Sequence, residues 1–140
     1  DIDMPLLNKI KIHNLNAKII GSYHNFEHTP EAPSIFNIIE KIHNSKADII
    51  KIAVFNKNNN DAKLLFNILT QYHNNNKYKK NIIIIGMGGA GKITRLLAPL
   101  LGSYLTFAKL DNLDNLDNLD NYTEQIDIKT MQQIYEQIRN

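Results

Sequence analysis

The sequence predicts an α/β fold built around a parallel sheet, and three observations predict it. Short apolar runs alternate with helix-period segments along the whole chain. The runs are nearly continuous in Ile, Val and Leu, which fits strands covered on both faces. Residues able to do chemistry fall within or at the ends of these runs, and parallel α/β folds build their sites at the carboxyl ends of their strands.

Strands are expected over residues 2–4, 18–24, 47–55, 81–87 and 104–110. The clearest is 47–55, Ala-Asp-Ile-Ile-Lys-Ile-Ala-Val-Phe, where alternation sets Ile49, Lys51 and Ala53 on one face and Ile50, Ile52 and Val54 on the other. Helices are expected over 6–14, 30–44, 61–74, 92–101 and 127–139. Thr29-Pro30 fits an N-cap followed by proline at the first helical position. In the last helix Ile128, Met131, Ile134 and Ile138 form the apolar stripe. The asparagine runs 58–60 and 74–76 are read as connections. Residues 111–121, an Asp-Asn-Leu repeat, are read as a low-complexity solvated loop, since EF-hand spacing and a turn glycine are lacking.

Composition narrows the function classes. The net charge is +2, from 16 basic and 14 acidic residues scattered along the chain, so no nucleic-acid partner is expected. The apolar runs are strand length, so no membrane span is expected. The chain has no cysteine, which rules out thiolate zinc sites and thiol nucleophiles and suits a cytoplasmic location. Nothing at the N-terminus reads as a signal peptide, and Asp1 opens almost directly on a strand, as though mid-domain. Only Arg95 and Arg139 can supply a guanidinium fork.

Three features carry the chemistry. Lys51 lies in the middle of an apolar strand, where burial disfavours its charge and leaves a neutral amine able to form an imine with a ketone. An edge-strand lysine that blocks aggregation has the same local appearance, so the residue alone leaves both readings open. His24 ends the preceding strand with Ser22 on its face, and adjacent strands about 4.8 Å apart bring His24 and Lys51 into one pocket. Gly86-Met-Gly-Gly-Ala-Gly91 follows a strand and precedes a helix. It meets the dinucleotide-binding glycine spacing and approaches a phosphate-binding loop, although Ile93 stands where the latter needs Ser or Thr. A nucleotide-binding module is therefore the alternative function. Equally, its backbone N–H groups, with Arg95 just beyond, suit a substrate carboxylate.

Taken in order, these segments resemble a known family. Gly21-Ser-Tyr-His-Asn-Phe-Glu-His-Thr-Pro30, Ala47-Asp-Ile-Ile-Lys-Ile-Ala53, Met87-Gly-x-x-Gly91-x-x-Thr94-Arg95 and Gly102-Ser-x-Leu-Thr-Phe107 are similar to the signatures of type I 3-dehydroquinate dehydratases. Ile2-Asp3-Met4 resembles that family's fourth strand. The resemblance implies that residues 1–140 are the C-terminal portion of one (β/α)8 barrel domain, about strands 4 to 8, and that three preceding strands lie outside this chain. It implies a cytoplasmic lyase of the shikimate pathway that dehydrates 3-dehydroquinate to 3-dehydroshikimate through a lysine Schiff base. Lys51 and His24 are its catalytic residues, and Arg95, Gln125, Asn121, Phe26, Met87 and Phe107 are its substrate-binding residues. No cofactor or metal is implied, the partner is the small-molecule substrate, and a homodimer is the candidate assembly. Two departures accompany the likeness: residues 121–125 lack the family's Pro-Gly turn, and Pro5 replaces an acidic residue. A non-catalytic remnant is the further alternative.

Overall fold

The structure, a computed structural model, describes residues 1–7, 9, 16–110 and 125–139. Its strands are β1 (Ile2–Asp3), β2 (Ile20–Asn25), β3 (Ile49–Phe55) and β4 (Asn81–Met87). All three pairings are parallel, and the order across the sheet is β1-β2-β3-β4. A doubly wound sheet reverses its strand order at a switch point, whereas sequential order throughout is the arrangement of a barrel wall. The sheet order is thus that of a barrel wall and not of a doubly wound sheet.

The helices are α1 (Met4–Leu7), α2 (Ala32–His43), α3 (Asn59–Asn74), α4 (Lys92–Leu97) and α5 (Ile128–Arg139). The sheet face formed by Ile50, Ile52, Val54, Ile82 and Ile84 packs against Ile35, Ile39 and Ile42 of α2 and Leu65, Ile68 and Leu69 of α3. The opposite face holds a smaller cluster of Ile49, Ala53, Ile83 and Ile85. The alternation expected for residues 49–54 is the one observed.

Several expected boundaries move, each for a local reason. Helix α2 begins at Ala32 with Glu31 as N-cap and a proline in its first turn. Thr29 caps nothing there, because its hydroxyl donates to Phe55 O at 2.9 Å, across to the end of β3. Helix α3 begins earlier than expected. Asn58 accepts from Asn60 N at 2.8 Å, and Asp61 accepts from Lys57 N and Asn58 N, so the first asparagine run is a capping box and not a plain connection. The helix expected over 92–101 breaks into α4 and a 3-10 turn at Pro99–Leu101, since Pro99 has no N–H to continue it. The strand expected over 104–110 is reduced to one isolated bridge between Lys109 and Asp127. There the edge of β4 is met by the buried Ser103 hydroxyl, which accepts from Ile84 N at 3.2 Å, while Tyr104 N donates to Ile82 O at 2.8 Å. Of the stripe expected on α5, Met131 is buried whereas Ile128 and Ile138 are exposed. Residues 8 and 10–14 of the first expected helix and all of the loop 111–121 lie outside the described residues.

Candidate active site

Parallel pairing in register builds the site on the sheet face opposite α2 and α3. Asp3 pairs with Ser22, Ser22 with Lys51, and Lys51 with Ile83; His24 pairs with Ala53. Residues in register share a face, so Asp3, Ser22, His24 and Lys51 project together, as expected for His24 and Lys51.

Asp3 organises the histidine side. Its Oδ1 lies 2.7 Å from His24 Nδ1 and accepts the Ser22 hydroxyl at 3.2 Å. The hydrogen bond from His24 is the main cause that holds the Asp3 carboxyl below its ordinary range; burial opposes it, and the charges of His24 and Lys51 add to it. With Nδ1–H engaged, the neutral ring presents Nε2 as the free base. The His24 ring stacks on Phe26 with centroids 5.9 Å apart and planes 7° apart.

Lys51 has a side chain only 12% exposed. Burial lowers its pKa below the ordinary lysine value, Asp3 opposes this, and Arg95 reinforces it. The Asp1 carboxylate, 2.5 Å from Nζ, favours the charged form. Nζ lies 5.1 Å from the centroid of the Phe107 ring, which forms an apolar wall beside the amine.

The glycine segment is closed on itself. Gly86 N–H, at the end of β4, donates to Thr94 Oγ1 at 2.8 Å, and Thr94 Oγ1 donates to Gly91 O at 2.7 Å. Gly91 is packed so tightly on Gly86 that a Cβ there would meet the Gly86 carbonyl carbon at 2.3 Å. Thus Gly86 and Gly91, two of the glycines in the dinucleotide spacing, serve strand–helix packing. Gly88, at φ 80°, makes the turn between β4 and this segment.

Arg95 on α4 is buried and close enough to Lys51 to affect its charge. Met87 ends β4 half-buried and packs on the Ile49–Ile85 cluster. Phe26 is 69% exposed and stacks on His24. Gln125 is half-buried ahead of α5, and Asn121 lies outside the described residues. Asp3 is a site residue that the sequence motifs did not single out, although an acidic side chain inside a strand is the same signal that marked Lys51. Among the described residues no group of three or more His, Asp or Glu is placed to hold a metal, and no helix is long and apolar enough to cross a membrane.

Known proteins similar to this chain agree with one another. The family model described as Type I 3-dehydroquinase matches residues 2–140. A 3-dehydroquinate dehydratase of Coxiella burnetii is 43% identical over 136 residues, covering 97% of this chain and 54% of the relative. One from Methanococcus maripaludis is 38% identical over 123 residues, covering 88% and 50%. The crystal structure of 3-dehydroquinate dehydratase from Geobacillus kaustophilus superposes with TM-score 0.74 at 27% identity, covering 87% of this chain and 44% of that one. A type I 3-dehydroquinate dehydratase from Clostridium difficile, solved with covalently modified comenic acid, superposes with TM-score 0.72 at 27% identity, covering 86% and 44%. The chain spans about half the length of the curated relatives it matches. The parallel sheet with its outer helices is thus part of a (β/α)8 barrel, and the chain belongs to the type I 3-dehydroquinase family.

Proposed function

We propose that the chain carries the catalytic groups of a lyase that dehydrates 3-dehydroquinate to 3-dehydroshikimate through an imine on Lys51. The observation that carries this reading is the amine of Lys51: nearly buried, driven toward its neutral form, and on the same sheet face as His24. Neutral Nζ attacks the ring ketone, and loss of water gives the imine. Once protonated, the imine withdraws electrons and acidifies the adjacent C–H. Nε2 of His24, oriented through Nδ1 by Asp3, takes that proton and returns it to the departing hydroxyl, which leaves as water. Hydrolysis of the imine then restores the ketone and the free lysine.

Arg95 holds the substrate carboxylate in this scheme, and Phe107 and Met87 keep water from the imine. Gln125 and Asn121 are assigned polar contacts to the substrate, and Phe26 an apolar one. The shikimate pathway, a cytoplasmic setting and a homodimer belong to the same proposal. No resident metal or cofactor is needed for these steps. The sequential strand order, which lacks the switch-point crevice of a doubly wound sheet, speaks against the alternative of a nucleotide-binding module.

The test is borohydride treatment of the chain with 3-dehydroquinate, followed by intact mass measurement and peptide mapping. A reduced adduct on Lys51 is expected, absent in Lys51→Met. Folded protein that forms no adduct, or an adduct elsewhere, would overturn the reading and favour a non-catalytic remnant.

A further inference from the structure

Helix α4 carries Arg95 and ends in an irregular way. Ala98 N–H closes the last regular bond, to Thr94 O at 2.9 Å. The next donor in the helical ladder, for Arg95 O, should be the N–H of residue 99, and Pro99 has none. Further on, Leu101 N and Ser103 N turn back to Ala98 O, and Gly102 N to Pro99 O. A side chain from α5, Tyr135, enters at this point. Its hydroxyl lies 2.9 Å from Leu96 O and 3.2 Å from Arg95 O, donating between the two carbonyls. The hydroxyl and both carbonyls are partly buried, so water competes poorly for them.

We propose that Tyr135 is a positioning residue for Arg95: its hydroxyl replaces the N–H that Pro99 lacks, locks the last turn of α4, and so fixes where the guanidinium meets an anionic substrate. The proposal rests on the reading of Arg95 as the carboxylate clamp and of Lys51 as the imine-forming amine. A planar fork that grips a carboxylate through two bonds is sensitive to small displacements of its backbone, so a loosened turn weakens capture of the carboxylate more than the chemistry at Lys51. Burial raises the Tyr135 phenol above its ordinary pKa, which keeps the O–H a donor across the neutral range. The link also runs between an element before residues 111–124 and one after them, so it ties α5 to the site.

The experiment uses the full 140-residue chain as Tyr135→Phe, Pro99→Ala and the double variant, each checked for folding by circular dichroism. The first readout is the rate at which phenylglyoxal modifies Arg95, followed by peptide mass spectrometry. Tyr135→Phe is expected to raise that rate by about 3- to 10-fold, the loss of one hydrogen bond. The double variant, which restores an N–H at position 99, is expected to return it close to the wild-type rate. The second readout is borohydride trapping. The half-saturating concentration of 3-dehydroquinate is expected to rise by a similar factor in Tyr135→Phe, with the limiting trapping rate unchanged. Trapping of a cyclic ketone without a carboxylate is expected to stay the same. Unchanged Arg95 reactivity in Tyr135→Phe overturns the proposal. So does a rise that the double variant fails to reverse, which would assign Tyr135 to packing alone. A wild-type chain that forms no adduct sinks the imine reading, and the Arg95 reactivity series then decides the role of Tyr135 by itself.

Discussion

Asp3 Oδ1 and His24 Nδ1 lie 2.7 Å apart, joining two strands that are adjacent in the sheet but 21 residues apart in sequence. The contact sets the histidine's tautomer, because a carboxylate can only accept and so requires the proton on Nδ1. Asp3→Asn can offer an N–H instead, which favours the opposite tautomer and turns Nε2 from base to donor. Turnover is expected to fall by about 100- to 10,000-fold, the upper end being the loss seen when a carboxylate that sets a catalytic histidine's tautomer becomes an amide. Nitrogen NMR of the neutral ring is expected to show the proton on Nδ1 in the wild type and a shifted population in Asp3→Asn. Since the folded Asp3 pKa is depressed, its stabilising effect is present above the unfolded value and is lost as pH falls through the folded value. The stability gap between wild type and Asp3→Asn is therefore expected at neutral pH and absent in strong acid. It should be small, because the Asp3 side chain is 56% exposed.

The Lys51 amine has the opposite sign. Its folded pKa lies below that of the unfolded chain, so between the two values the unfolded state binds more protons and stability rises with pH. Below the folded value the whole penalty is present. Lys51→Met is expected to raise the melting temperature by a few degrees at neutral pH, with the gain shrinking as pH climbs toward the ordinary lysine value of 10.5. The rate of imine trapping by wild-type protein should rise with pH and level off below 10.5. A variant less stable than wild type at neutral pH would mean that the ion pair with Asp1 outweighs burial.

Much of this arrangement was legible in the sequence. Period-two alternation in residues 49–54 correctly separated the helix-packed face from the site face, because a strand buried on both sides leaves few alternatives. His24 and Lys51 share a sheet face because consecutive parallel strands pair in register. Asp3 was harder to find, since its partners depend on how β1 is staggered against β2, and no local pattern encodes that stagger. Thr29 misled for a related reason. It is a good local capping residue, yet its hydroxyl is spent on a distant backbone group. Tyr135 gave no signal at all, because its role is created by a missing N–H at Pro99 on another helix.

The glycine segment yields a paired test of packing. Gly91 has φ −81°, open to any residue, so its need for glycine is purely one of space. Gly91→Ala sets a methyl against the Gly86 carbonyl and is expected to destabilise by at least about 1–3 kcal/mol, read from urea unfolding. At Gly89 an added methyl would have nothing within 4 Å of it, and Gly89→Ala is expected to change stability by less than about 0.5 kcal/mol. Equal effects would show that the segment is not closed on itself as described.

Tyr72 offers a test of the helix-packed core that is independent of the site. Its ring is buried and stacks on Tyr78 with centroids 4.7 Å apart, and its hydroxyl donates to Lys80 O at 2.7 Å, pinning the start of β4 to α3. Burial, with a further contribution from Tyr78, pushes the phenol up to about 12, so the group is a donor throughout the neutral range. Tyr72→Phe keeps the stack and removes the donor, and is expected to cost about 1–2 kcal/mol at neutral pH. A folded pKa raised above the unfolded value of 10.0 contributes stability that is complete below 10.0 and is lost as pH rises through about 12. The difference between wild type and Tyr72→Phe in urea unfolding is therefore expected to hold constant to about pH 10 and to shrink above it. A difference that persists undiminished in that range would place the cost in packing and not in the hydroxyl.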